Sequence, residues 1–412
     1  MAKKILFVHN NFPGQFRHIA RAARMAGYEI ATLGSANAKD FDGIQPFRWS
    51  LSRGTTPNIF DPATRAEADL LRADAAAHQA RLLKASGFMP DLIIGHPGWG
   101  ETVHLSPIFP GVPQILFGEF FYLPVGGDVG FDPEFETRND AQDMRVYAKN
   151  AVMSLAYAQA DVIVSPTHFQ ASTFPVGLRS RIRVCHEGVS LSAATKKPDA
   201  TLTLPSGQVL NGCQPVITFI NRHYERLRGF HIFMRALPAL MTACPEAQVV
   251  IIGKDSGGGY GGQLANKQTW KQKMLAEVGD RLDLSRVHFT GPLAHADMIA
   301  ALSLSWAHVY YTYPFVLSWS LVEAMACECL VLGSDTGPVR DAITNGKNGI
   351  LNDFFDVPAL SAAMIDACNN PQNHDHMRAR ARQTALSVFD KDTVGVPIWM
   401  TLIDEMIGVA HV

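Results

Sequence analysis

Short, continuously apolar runs set the strongest limit on how this chain folds. Lys4-Ile-Leu-Phe-Val8 leads through Pro13-Gly14 into a stretch with Phe16, Ile19, Ala20 and Ala23 at helical spacing, and then to Glu29-Ile-Ala-Thr-Leu-Gly34. Two buried strands with a helix between them form a βαβ unit, which requires a parallel sheet. The pattern recurs at Asp91-Leu-Ile-Ile-Gly-His96, Gln114-Ile-Leu-Phe-Gly-Glu119, residues 161–167 and 183–189. A second series follows at Val216-Ile-Thr-Phe-Ile220, Val249-Val-Ile-Ile-Gly253, 286–291, 307–313 and Leu330-Val-Leu332. The expected fold is therefore α/β, with two Rossmann-like domains built on parallel sheets.

A length of 412 residues allows each series its own core. The expected division is an N-terminal domain over 1–190, a polar, turn-rich linker over 191–213, a second domain over 214–390, and a segment over 391–412 that crosses back to the first. Asp61-Pro62 reads as an N-cap followed by the first helical position. Residues 35–60 read as irregular, 123–140 as a Gly/Pro-rich lid over an acceptor, and 140–159 as a helix. A net charge of -2 excludes a general attraction to nucleic acid or acidic membranes. The apolar run after Met1-Ala-Lys-Lys4 is too short for a signal peptide, and no segment reads as a membrane span, so a cytoplasmic location is expected. The six cysteines, at 185, 213, 244, 327, 329 and 368, read as reduced core thiols.

Ligands of open α/β sheets bind at the carboxyl ends of strands. His96 and Glu119 stand at two such ends, beside Trp99, Glu101, His104, Phe120, Phe121 and Tyr122. Aromatic faces next to carboxylates suit a sugar or another polyol. Arg222 and Arg228 follow the end of 216–220, two guanidinium forks beside a helix start. Asp40-Phe-Asp42 and His374-Asp-His376 do not make metal sites; the latter reads as an exposed helix start. The glycine-rich 254–262 stretch lacks the Gly-Lys-Ser/Thr of a P-loop. In Tyr313–Cys327, a helix opens near Ser318 or Ser320. Ser320-Leu-Val-Glu323 fits a capping box as well as it fits a ligand role for Glu323.

The run Ser320-Leu-Val-Glu-Ala-Met-Ala326, with Leu330-Val-Leu-Gly-Ser-Asp-Thr-Gly-Pro-Val-Arg340 and Asn345-Gly-Lys-Asn-Gly-Ile-Leu351, resembles the C-terminal signature of glycosyltransferase family 4. These are retaining, nucleotide-sugar-dependent enzymes of the GT-B architecture, with two domains facing a central cleft. The resemblance covers nearly the whole chain and is strongest from 216 to 351. It implies donor contacts at Gly14, Arg222, Arg228, Gly291 and Leu293, at Phe315 and the backbone of Val316, Leu317 and Ser318, and at Glu323 through the donor ribose. It implies acceptor contacts around Trp99, Glu101, His104, Phe120 and Tyr122. Phe315 stands where the E-x7-E motif has its first Glu. Gly118-Glu119 stands where many members carry an active-site His, so either Glu119 takes that space or His96 or His104 supplies the imidazole.

The function implied is transfer of a hexose from a UDP- or GDP-sugar to a hydroxyl acceptor, in bacterial glycan, glycolipid or glycoconjugate synthesis. Arg222 and Arg228 would stabilise the leaving diphosphate, and Glu119 and His96 would orient the reactants. No metal or cofactor beyond the nucleotide-sugar co-substrate is expected. Peripheral membrane contact and oligomeric state stay open. The alternatives are a nucleotide-sugar epimerase, a sugar phosphorylase or a non-catalytic two-lobed sugar-binding protein. A dinucleotide oxidoreductase is the weakest, because no G-x-G-x-x-G follows the first strand.

Overall fold

The structure, a computed structural model, describes residues 2–256, 259–262, 264 and 267–408. Part of the 254–262 glycine stretch, including Gly257 and Gly258, lies outside the described residues. The chain forms two compact units, Met1–Gly188 with Lys391–Val412, and Val189–Asp390.

The first unit is a parallel sheet of β1 (Lys4–Val8), β2 (Glu29–Ser35), β3 (Phe47–Trp49), β4 (Leu92–Gly95), β5 (Gln114–Phe117), β6 (Val162–Ser165) and β7 (Ile182–Val184), in the order β3-β2-β1-β4-β5-β6-β7. Side chains alternate across the sheet. Ile5 and Phe7 pack on one side with Phe16, Ile19, Ala23 and Trp399. Leu6 and Val8 pack on the other with Ala76, Ala80, Leu83 and Phe109. Trp399 belongs to the helix Val396–Ile407, so the chain's last helix covers the first unit's sheet.

The second unit contains a hairpin of β8 (Leu202–Thr203) and β9 (Val209–Leu210), and a parallel sheet of β10 (Val216–His223), β11 (Gln248–Lys254), β12 (Val287–Gly291), β13 (Ala307–Tyr310), β14 (Leu330–Ser334) and β15 (Ile350–Asn352). Its order, β12-β11-β10-β13-β14-β15, repeats that of the first sheet. Each sheet therefore reverses direction of growth at one point, between β1 and β4 and between β10 and β13, where such folds bind ligands.

Several local expectations are corrected. Residues 191–213 are not a free linker, because Leu191, Leu202, Leu204 and Leu210 are buried in the second core. The polar composition hid this: the buried leucines are spaced along a hairpin that shows water its other face. The irregular stretch contains β3, which ends in the buried Trp49. Asp61 caps no helix. It opens a 3-10 turn, and its carboxylate pairs with Arg145 at 2.7 Å. His374 is buried rather than exposed, with Nε2 3.0 Å from Asp366, and Cys213 is exposed. Asp40 and Asp42 are each paired with an arginine, Arg48 and Arg21. Among the described residues, no helix is long and apolar enough to cross a membrane.

Candidate functional site

In the second unit, the residues after β10 and β13 converge at the switch point. Arg228 ends a single 3-10 turn, Arg226–Arg228, and Gly229 follows at φ +68°. A Cβ there would lie 2.4 Å from that of Tyr311, so only glycine lets the chain turn into the helix Phe230–Ala243. Arg228 is buried, and its Nη1 donates to Thr312 Oγ1 at 2.9 Å, the Val316 carbonyl at 3.0 Å and Tyr310 Oη at 3.3 Å. All three acceptors are uncharged, and the buried Glu225 carboxyl acts on the cation electrostatically. Glu225 turns its carboxylate to the Gly261 N–H at 2.7 Å. Arg222 lies exposed near the end of β10.

The helix Trp319–Ala326 takes Ser318 as N-cap, with its hydroxyl accepting from Ser320 N. Glu323 makes no capping box. It lies inside the helix, largely buried, with Oε1 2.7 Å from Nε2 of the half-exposed His295. Burial raises the Glu323 pKa, and His295 opposes that rise. The Ser318 N–H is donated to Tyr310 Oη at 2.8 Å, so of the three backbone groups expected to face a donor this one is already engaged. Leu317 is buried in the core, and Val316 gives its carbonyl to Arg228. Phe315 is buried, its ring centroid 5.2 Å from that of Tyr260. Gly291 has φ +73° with open space where a side chain would be, and Leu293 packs against the core.

In the first unit, the ends of β1, β4 and β5 bring together His9, His96 and Glu119. His96 Nε2 lies 3.5 Å from Glu119 Oε2, and Gln15 Nε2 donates to Glu119 Oε1 at 2.9 Å. The other end of Gln15, Oε1, is 2.7 Å from His9 Nε2. The rings of His9, His96 and Trp99 cluster, with centroids 4.9 to 5.6 Å apart. Burial and the neighbouring His96 push the His9 pKa down to about 3, so this imidazole is neutral. Burial alone would raise the Glu119 pKa, but His96, His9 and Gln15 outweigh it and hold it below the ordinary carboxylate value.

Glu101 is fully buried, its oxygens accepting from Asn10 N at 3.0 Å and Trp99 N at 3.1 Å. That carboxylate ties the loop after β1 to the loop after β4, and burial pushes its pKa up to about 7. Phe120 is buried edge-on to Tyr122, whose ring lies under Lys149 Nζ at 3.3 Å. His104 is half-buried in the turn beyond Glu101. Gly14 has φ +47°, and a Cβ there would meet the His9 ring at 2.3 Å. His9, Gln15, His295, Tyr310 and Thr312 were not singled out from the sequence. His9 carried a usable signal, being the polar residue that ends the first strand just as His96 and Glu119 end theirs. His295 carried none, because its pairing with Glu323 joins positions 28 residues apart.

Residues 26–194 match the family model described as glycosyl transferase family 4 group, and residues 204–384 the one described as glycosyl transferases group 1. The D-inositol 3-phosphate glycosyltransferase of Corynebacterium jeikeium is 32% identical over 158 residues, 37% of this chain and 35% of that protein. The glycogen synthase of Mycobacterium tuberculosis is 26% identical over 170 residues, 41% of this chain and 38% of that protein. The chain thus spans well under half the length of these relatives. Among solved structures, sucrose-phosphate synthase from Thermosynechococcus elongatus superposes with a TM-score of 0.74 at 14% identity, covering 99% of this chain and all of that one. HepE from Anabaena, in complex with UDP-glucose, gives 0.66 at 16% identity, covering 97% and 99%. These two likenesses show the GT-B fold, and with both halves matched by their family models, the chain belongs to glycosyltransferase family 4.

Proposed function

We propose that the protein transfers a hexose, with retention of configuration and without a metal ion, from a UDP- or GDP-sugar to a hydroxyl acceptor. The observation that carries this reading is Arg228, a buried cation held by three neutral oxygens at the sheet's switch point. Glu225, whose pKa burial raises, is a carboxyl that already acts on this cation, and with the exposed Arg222 nearby in sequence the two guanidinium groups can take the further charge of a diphosphate. When the bond between the sugar's C1 and the phosphate oxygen breaks, its electron pair goes to the diphosphate. Guanidinium groups already in place stabilise that charge without reorganising. The acceptor oxygen attacks the face the diphosphate leaves, and the acceptor's proton passes to the departing phosphate oxygen. Glu323 takes the ribose hydroxyls, and Glu119 and His96 orient sugar hydroxyls. UDP-glucose in HepE and the GDP-mannose named for a mannosyltransferase of Mycolicibacterium smegmatis, 25% identical over 255 residues, support a nucleotide-sugar donor.

Donor turnover with EDTA present tests this. Arg228→Ala should lower kcat on the order of 10²–10³-fold, the usual cost of removing one such charge-stabilising group. An unaltered circular dichroism spectrum would confirm that the fold survives. Turnover within twofold of wild type would overturn the assignment.

A further inference from the structure

We infer that Gln15 is a positioning residue that, with His9 behind it, holds the Glu119 carboxylate as a fixed anionic acceptor for a sugar hydroxyl. The inference rests on the sugar-transfer reading for the hydroxyl, but not for the fixing of the carboxylate.

The directions of the hydrogen bonds carry the argument. His9 Nδ1 accepts from the Asn11 N–H at 2.9 Å, so the proton of this neutral ring is on Nε2 and points at Gln15 Oε1. The Gln15 amide therefore presents its NH2 to Glu119, the one orientation that does not set two oxygens against each other. His96 repeats the device. Its Nδ1 accepts from the Gly98 N–H at 3.1 Å, which places its proton on Nε2, facing the other oxygen of Glu119. That Nε2 is buried and makes no hydrogen bond, Glu119 Oε2 lying 3.5 Å away. Two backbone N–H groups thus fix two tautomers; that of His9 holds one carboxylate oxygen through Gln15, and that of His96 turns a proton toward the other.

Glycines make both loops fit. A Cβ at Gly14 would meet the His9 ring at 2.3 Å, and one at Gly98 would meet the His96 ring at 2.6 Å. Glu119 remains 34% exposed at its side chain, so the unused lone pairs of its carboxylate are available to a ligand. The groups facing it from other elements are His9, His96, Gln15 and the neutral Tyr157. Gln170 binds its main-chain carbonyl at 2.5 Å. Among these described groups none is a permanent cation, so the amide of Gln15 matters most where the histidines are neutral.

The test is the carboxyl carbon resonance of Glu119, titrated by NMR in the wild-type chain and in Gln15→Leu, with Gln15→Met as a second variant if the first misfolds. Loss of the amide donor should raise the Glu119 midpoint by about one pH unit or more. The acid limb of the kcat/KM profile should move with it, lowering turnover roughly tenfold below the midpoint and leaving it within about threefold above. An unchanged midpoint in a folded variant would overturn the inference. A shifted midpoint in a chain that turns over no nucleotide sugar would leave Gln15's role standing and defeat the sugar-transfer reading.

Discussion

Gly14 combines a left-handed backbone at φ +47° with a His9 ring lying where its side chain would be. Gly14→Ala should therefore cost more than the roughly 1–3 kcal/mol of a strained backbone, because the new methyl group also displaces the imidazole that orders Gln15. We expect a lowered unfolding midpoint together with turnover reduced beyond what the lost stability explains; an unchanged midpoint would contradict the packing described. From sequence alone, Gly14 was readable as a turn glycine near a ligand site, since Pro13-Gly14 follows a strand. Its contact with His9 was not, because the chain curls back by an amount that turn chemistry does not specify. Glu323 shows the same limit. Two readings were open, cap or ligand, and the structure removes the cap by placing Ser318 at the helix start and His295 on the carboxylate.

Whole elements read more plainly than single contacts. Continuous apolar runs flanked by helical periodicity located nearly all the sheet strands, because a strand buried on both faces leaves no room for polar residues. β3, β15 and the β8–β9 hairpin escaped, being short and only partly buried, so their composition looks like a loop. The helix Val396–Ile407 covers one face of the first sheet. Trp399 is fully buried there among Phe16, Phe7 and Ile403, and its ring centroid lies 6.3 Å from that of Phe16. Trp399→Ala should cost about 3–5 kcal/mol, the usual loss for a large aromatic in a packed core. Chemical denaturation would measure it, and a loss under 1 kcal/mol would show that the helix covers the sheet only loosely.

The molecule as a whole repeats one sheet order twice, and each unit buries a neutral histidine near that sheet. His9 and His308 are both pushed by burial to about 3, below their ordinary value of 6.5. An unfolded chain binds protons at these positions as pH falls below 6.5 while the folded chain does not, so stability is present above that value and lost as pH falls towards about 3. Each group contributes a slope of at most about 1.4 kcal/mol per pH unit. Glu101 acts in the opposite direction, since its raised pKa of about 7 makes stability fall as pH rises from its ordinary 4.5. His308→Leu leaves Thr218 and Ser305 bonded to each other at 2.8 Å and should flatten the acid-side loss measured by denaturation between pH 4 and 6.5. An unchanged slope would mean that His308 is not the titrating group.

In the proposed reaction the charge of a departing diphosphate is met by arginines rather than by a metal, and the sugar is delivered to the face it left. Proton NMR of the first-formed product from an α-linked UDP- or GDP-hexose, with EDTA present, tests it most directly. With a gluco-type donor the expected product shows the small H1–H2 coupling of an equatorial anomeric proton, that of an axial α-linkage, and the chelator causes no loss of rate. A β-linked first product, or a rate restored only by added magnesium or manganese, would contradict it.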